Sequence, residues 1–158
     1  MSLAKLDNYN LILNWRKYMS EKINTNVIVT SQFTDKMITF PEKTRKKHNT
    51  CGIIVLPVTK DTATSLVKTA NGNLKSFVRP AFAGVVGSDL DHTLEANNEN
   101  YHMADSNNTD VILVAQYSGA RLSSKDTQIP DDSSINYRVV MTDKTWKNVK
   151  ASETIPGI

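Results

Sequence analysis

The chain has 158 residues, 39% of them hydrophobic, and a net charge of +3, enough apolar material for the core of one ordinary domain without disulfides or metal. Asn, Thr and Ser number 15, 16 and 13, residues suited to turns and strands rather than helix interiors, which excludes a purely helical bundle. There is no apolar run of ~18 residues and no charged-then-apolar leader at Met1, which predicts neither a membrane span nor export and places synthesis in the cytoplasm.

Residues 7–23 carry a helical stripe, Tyr9, Ile12, Trp15, Met19 and Ile23, at spacings of three and four. Asp7 can cap its start, and the segment reads either as a core helix or, over residues 1–24, as an arm that orders on a neighbour. Residues 26–33 alternate with period two and are β-branched on both faces, a strand. Residues 36–40 repeat the pattern after Thr34-Asp35 and predict a hairpin. The basic stretch Lys43, Arg45, Lys46 and Lys47 follows in a loop without interleaved aromatics. That lack makes nucleic acid a weaker partner for it than phosphate or an acidic protein face.

Residues 53–58 form an apolar run that predicts a strand covered on both sides, with Pro57 ending its pairing or marking an edge. A short helix over residues 61–70, capped by Asp61 or Thr59, is stopped by Asn71-Gly72. Residues 74–86 read as one or two strands broken at Pro80. Residues 88–108 are a polar, acidic loop too long for an ordinary connection, and residues 111–117 are the strongest buried strand. A second loop runs over residues 119–134. Residues 135–142 and 145–151 predict a terminal hairpin around Asp143-Lys144, with Trp146 in its return strand.

Charge is distributed unevenly. Residues 36–79 hold nine Lys and Arg against two acids, whereas residues 89–110 hold six acids and no Lys or Arg. Such a layout suits head-to-tail packing of copies, basic segment on acidic segment, and competes with two oppositely biased solvated loops. The single cysteine, Cys51, excludes an internal disulfide. Beside the apolar residues 53–56 it reads as a small hydrophobe, and a strand would place His48 on the opposite face from it, against a Cys/His nucleophilic pair.

The run Val85-Val86-Gly87-Ser88-Asp89-Leu90-Asp91-His92-Thr93 resembles the first motif of the haloacid dehalogenase phosphatases, an apolar strand followed by Asp-x-Asp-x-Thr. The resemblance implies Asp89 as nucleophile and Asp91 as acid/base at a magnesium site, with Lys125, Asp131 and Asp132 completing it. Spacing opposes the reading, because each βαβ unit needs about 30 residues and too few separate Asp89 from Asp132. His92 and His102 with Asp89, Asp91 and Asp105 lack regular metal-ligand spacing. Neither a catalytic residue nor a metal or cofactor site is therefore assigned.

The expected fold is α+β and mainly β: one domain over residues 1–158, with an antiparallel or barrel-like sheet, an N-terminal helix and one short internal helix. The terminal hairpin and the Asn/Thr/Ser-rich style resemble small structural proteins of tailed bacteriophages, such as head-completion, neck and tail-completion subunits. That resemblance implies a virion assembly protein, a head-tail connector type that oligomerises or docks on partner rings, with no membrane and no small-molecule substrate. Its interaction surface would use Lys43, Arg45, Lys46 and Lys47 on one side and Asp89, Asp91, Glu95 and Glu99 on the other. The alternatives are a metal-dependent phosphatase-like enzyme using Asp89 and Asp91, and a nucleic-acid-binding module using residues 43–47.

Overall fold

A computed structural model describes residues 12–13, 26–34, 37, 52–102, 110–143 and 145–147. Their main elements are β1 (Val27–Thr30), β2 (Ile53–Val58), α1 (Lys60–Ala70), β3 (Leu74–Phe77), α2 (Pro80–Asp89), β4 (Val111–Ser118) and β5 (Ser134–Thr142). The strands form one sheet in the order β2-β5-β4-β1-β3. The α+β class is as the sequence predicts, but the sheet is open and mixed rather than barrel-like or antiparallel throughout. β1 runs parallel to both β3 and β4, and β5 runs antiparallel to both β4 and β2.

The sequence Val27-Ile28-Val29-Thr30 has β-branched side chains at every position, and all four are buried, as a central strand covered on both faces requires. Val27 and Val29, with Val111, Leu113 and Ala115 of β4 and Tyr137, Val139 and Met141 of β5, point to one face. There they meet α1 through Ala63, Leu66, Val67 and Ala70, and α2 through Ala83 and Val86. Ile28, Ile112, Val114 and Val140 point the other way and pack with Met37 and Tyr101. The period-two alternation thus supplies two cores from the same strands.

Thr59 caps α1, its Oγ1 accepting from the Thr62 amide at 3.2 Å, and a 3-10 turn at Asn71–Asn73 ends it. Pro80 does not break a strand; it opens α2, where a missing N–H costs nothing and a fixed φ already suits a helix. The expected strand over residues 74–86 is therefore half strand and half helix. The apparent strand propensity of Val85-Val86 is overridden by packing, since both are buried. α2 also needs its glycines: a Cβ on Gly84 would lie 2.3 Å from the Asp126 carbonyl oxygen, and one on Gly87 would lie 2.8 Å from that of His92.

β2 is a strand as expected and lies at a sheet edge, as Pro57 suggests, but its residues are only partly buried, so it is not covered on both sides. The Asp143 amide donates to the Gly52 carbonyl at 3.0 Å. With the β2–β5 register, this turns the backbone groups of Ile54, Leu56 and Val58 toward β5 and those of Ile53, Val55 and Pro57 outward. Pro57 thus stands at a position whose N–H would face away from the sheet. The terminal hairpin is also replaced: after β5, Thr142 Oγ1 accepts from the Thr145 amide at 3.1 Å, residues 145–147 are helical, and Trp146 joins the helix-side core. Met37 is helical too, and its amide donates to the Thr34 carbonyl at 3.0 Å, so the strand expected at residues 36–40 is not continued there. Of the N-terminal segment, Ile12 of the stripe and its neighbour Leu13 are described and are helical; the rest of that helix or arm, and residues 43–47, lie outside the described residues.

Candidate functional site

The Asp-x-Asp run lies at the C-terminus of a helix, not after a strand. α2 closes with the His92 amide donating to the Gly87 carbonyl at 2.9 Å and the Asp91 amide to the Ser88 carbonyl at 3.3 Å. Asp91 holds a left-handed φ of 52°. That is the six-to-one, five-to-two closure that normally favours Gly or Asn at the left-handed residue. Asp91 is therefore a helix-closing residue in geometry, and the phosphatase resemblance loses the strand on which its motif depends.

Both carboxylates are engaged by their own chain. Asp89, only 11% exposed, accepts an ion pair from Lys60 Nζ at 3.1 Å and a hydrogen bond from the Tyr137 hydroxyl. Tyr137 lies in the helix-side core, and burial first, then the Asp89 carboxylate, hold its phenol well above the usual tyrosine range. Asp91 is 87% exposed and lies 3.8 Å from Lys68 Nζ. Lys60 and Lys68 are about 12 Å apart along α1, at 1.5 Å per residue, so Asp89 pairs at the helix start and Asp91 approaches its last turn, where so exposed a pair adds little. Among the described residues, no group of three or more His, Cys, Asp or Glu could hold a metal ion.

Part of the charge polarity seen in the sequence is consequently satisfied within one molecule. What remains outward is carried by the segment after α2. Residues 95–97 run alongside β3, with a parallel bridge between Val78 and Ala96. The Asn97 amide donates to the Val78 carbonyl at 2.8 Å. Ser76 Oγ donates to the Glu95 carbonyl at 2.6 Å, and Asn97 Nδ2 to the Ser76 carbonyl at 3.2 Å. Arg79 then bonds the Asn98 carbonyl and Asn100 Oδ1, and Gln32 Nε2 donates to the same Asn100 oxygen at 3.0 Å. The stretch taken for a long loop is thus, over residues 95–100, a strap fastened to the outer edge of β3. Glu95 and Glu99 stand exposed on it, and neither makes an ion pair among the described residues.

From the strap the chain turns onto the other sheet face. Tyr101 packs edge-on to Phe77, ring centroids 5.4 Å apart, and its hydroxyl donates to Asp110 Oδ2 at 2.9 Å. Asp110 Oδ1 in turn accepts from the Asn26 amide at 3.4 Å and from Asn26 Nδ2 at 3.3 Å. A cavity of about 670 Å³ opens between β3 and this turn, with Ile28, Phe77 and Tyr101 as its apolar wall and Glu99 and Asp110 as its acids.

Of the expected interaction residues, the structure places Asp89 and Asp91 in intramolecular contacts and Glu95 and Glu99 on the strap. Lys60, Ser76, Asn97, Tyr101 and Tyr137 were not singled out in the sequence. Tyr137 alone carried a signal, because a tyrosine at an inward position of a buried strand needs a partner for its hydroxyl.

No family model matches the chain and no curated protein matches it in sequence. Among solved structures, it is similar to B116 of Sulfolobus turreted icosahedral virus, at 17% identity and a TM-score of 0.49, over 73% of this chain and 98% of that one. The neighbour is a viral protein, from an archaeal virus and not from a tailed bacteriophage. No helix among the described residues is long and apolar enough to cross a membrane.

Proposed function

We propose that the chain is an assembly protein of a virion, working by association of its copies or by docking onto partner subunits, with the acidic strap as one contact surface. The observation that carries this reading is the fastening of residues 95–100 to β3 by backbone and side-chain hydrogen bonds, which presents Glu95 and Glu99 from a fixed frame. An ordered acidic edge loses little conformational entropy on docking. Its complement within the sequence is the basic segment Lys43, Arg45, Lys46 and Lys47. The Asp89 carboxylate, bonded to Lys60 and Tyr137, serves the fold, whereas Asp91, 87% exposed, stays open to a partner.

Native mass spectrometry and sedimentation at low and high salt test the proposal. The expected result is an oligomer, or a complex with virion components, that dissociates as salt screens the contact. A protein that stays monomeric at low salt and binds no virion component overturns it.

A further inference from the structure

We infer that the cavity between β3 and Tyr101 is a socket for a basic chain segment, and that its occupant is the Lys43, Arg45, Lys46 and Lys47 stretch of a second copy. The inference rests on the assembly reading above and names the contact it would use. Ile28 and Phe77 come from neighbouring strands β1 and β3, and Tyr101 closes over them. Ile28 and Tyr101 are themselves buried, so the half-buried Phe77 supplies the apolar surface on which the aliphatic stem of a Lys or Arg can lie.

Polar groups set the sign of the guest. Glu99 and Asp110 line the cavity against Lys75, leaving its wall with a net negative charge. Asp110 is fixed by Asn26 and Tyr101, so Glu99, exposed and without an ion pair among the described residues, is the acid available to an incoming cation. At about 670 Å³ the space exceeds one guanidinium and suits several residues of an extended segment. Charge complementarity selects the occupant: residues 36–79 carry the positive excess of the middle of the chain, and residues 43–47 are its densest part.

A charge-swap mixing experiment on the full-length chain tests this. Glu99→Lys and Arg45→Glu each place like charges at the contact, and each alone should associate at least about tenfold more weakly than the wild type. Mixed in equal amounts they rebuild one native Arg45–Glu99 pair and one reversed pair, so association should return. Failure of the mixture to recover, with wild-type association intact, overturns the socket and leaves the assembly reading standing. Recovery only when both changes are on one chain means the segment binds its own molecule, which overturns the second copy as occupant. A synthetic peptide of residues 42–49 added to the full-length chain supplies a measurement independent of oligomerisation. Amide shifts at Glu99, Tyr101 and His102 that disappear in Glu99→Lys support the socket even if the wild type proves monomeric, a result that would sink the assembly reading and the second copy as occupant. Absence of such shifts at millimolar peptide counts against the socket.

Discussion

Asp89→Ala leaves the buried Tyr137 hydroxyl without its acceptor, and an orphaned buried hydroxyl costs about 1–3 kcal/mol. The urea midpoint should fall accordingly. Asp89→Asn, whose amide oxygen still accepts, should retain most of the stability. Lys60→Ala should cost no more than about 1 kcal/mol, because that lysine is 59% exposed and its pair is screened by water. The same contact fixes an alkaline signature. The Tyr137 phenol is held above its unfolded value of about 10, so the folded state binds this proton more tightly than the unfolded chain. The stability it contributes is present below pH 10 and is lost as pH rises beyond that value. Its phenolate absorbance should therefore emerge together with unfolding; ionisation near pH 10 in the folded protein would refute the buried contact. Asp91 behaves oppositely: with φ at 52°, replacement by Gly removes the left-handed cost of a side chain, and Asp91→Gly should leave stability equal or raised by up to about 1 kcal/mol. A catalytic Asp91 would offer no such reason for tolerance.

At the scale of elements, α2 is the most exacting. Gly84→Ala drives a methyl into the Asp126 carbonyl; because that atom is backbone, the 119–133 loop must move, and a loss of about 1–3 kcal/mol is expected in thermal or urea unfolding. α2 is also where the sequence misled. Its valines and glycines argue against a helix, a signal that tertiary packing reverses, and its proline, which reads as a strand breaker, is a favoured first helical residue. β1, β4, β5 and α1 were legible because patterning and capping agree there: continuous β-branched burial in β1, alternation in β5, and Thr59 followed by the Ala63, Leu66, Val67 and Ala70 stripe. Strand order and direction were not legible, since neither parallel pairing partner of β1 is adjacent to it in sequence. The acidic residues of the candidate site were visible as composition. Their division into Asp89, held against Lys60 and Tyr137, and Asp91, Glu95 and Glu99, left outward, depends on contacts between segments far apart in the chain.

Over the whole molecule, protection by the sheet must be graded from centre to edge. β1 and residues 112–114 of β4 are covered on both faces and paired on both sides, so their amides should exchange with solvent only when the molecule unfolds as a unit. β3 has its outer side strapped by residues 95–97, and Asn97→Ala, which removes the bond to the Ser76 carbonyl, should loosen that cover before it affects β1. At the opposite edge, among the described residues β2 pairs only with β5. Its register makes a finer statement: the amides of Ile54, Leu56 and Val58 face β5 and should be slow, whereas the Val55 amide faces outward and should be fast. Equal protection of Val55 and its neighbours would mean that another chain segment or another molecule pairs there. The outward N–H missing at Pro57 deprives such a partner of one ladder bond. Pro57→Val restores it beside Val55, a residue 41% exposed. Light scattering of that variant should therefore rise with concentration in a way that salt does not reverse, unlike the charge-driven association expected of the strap.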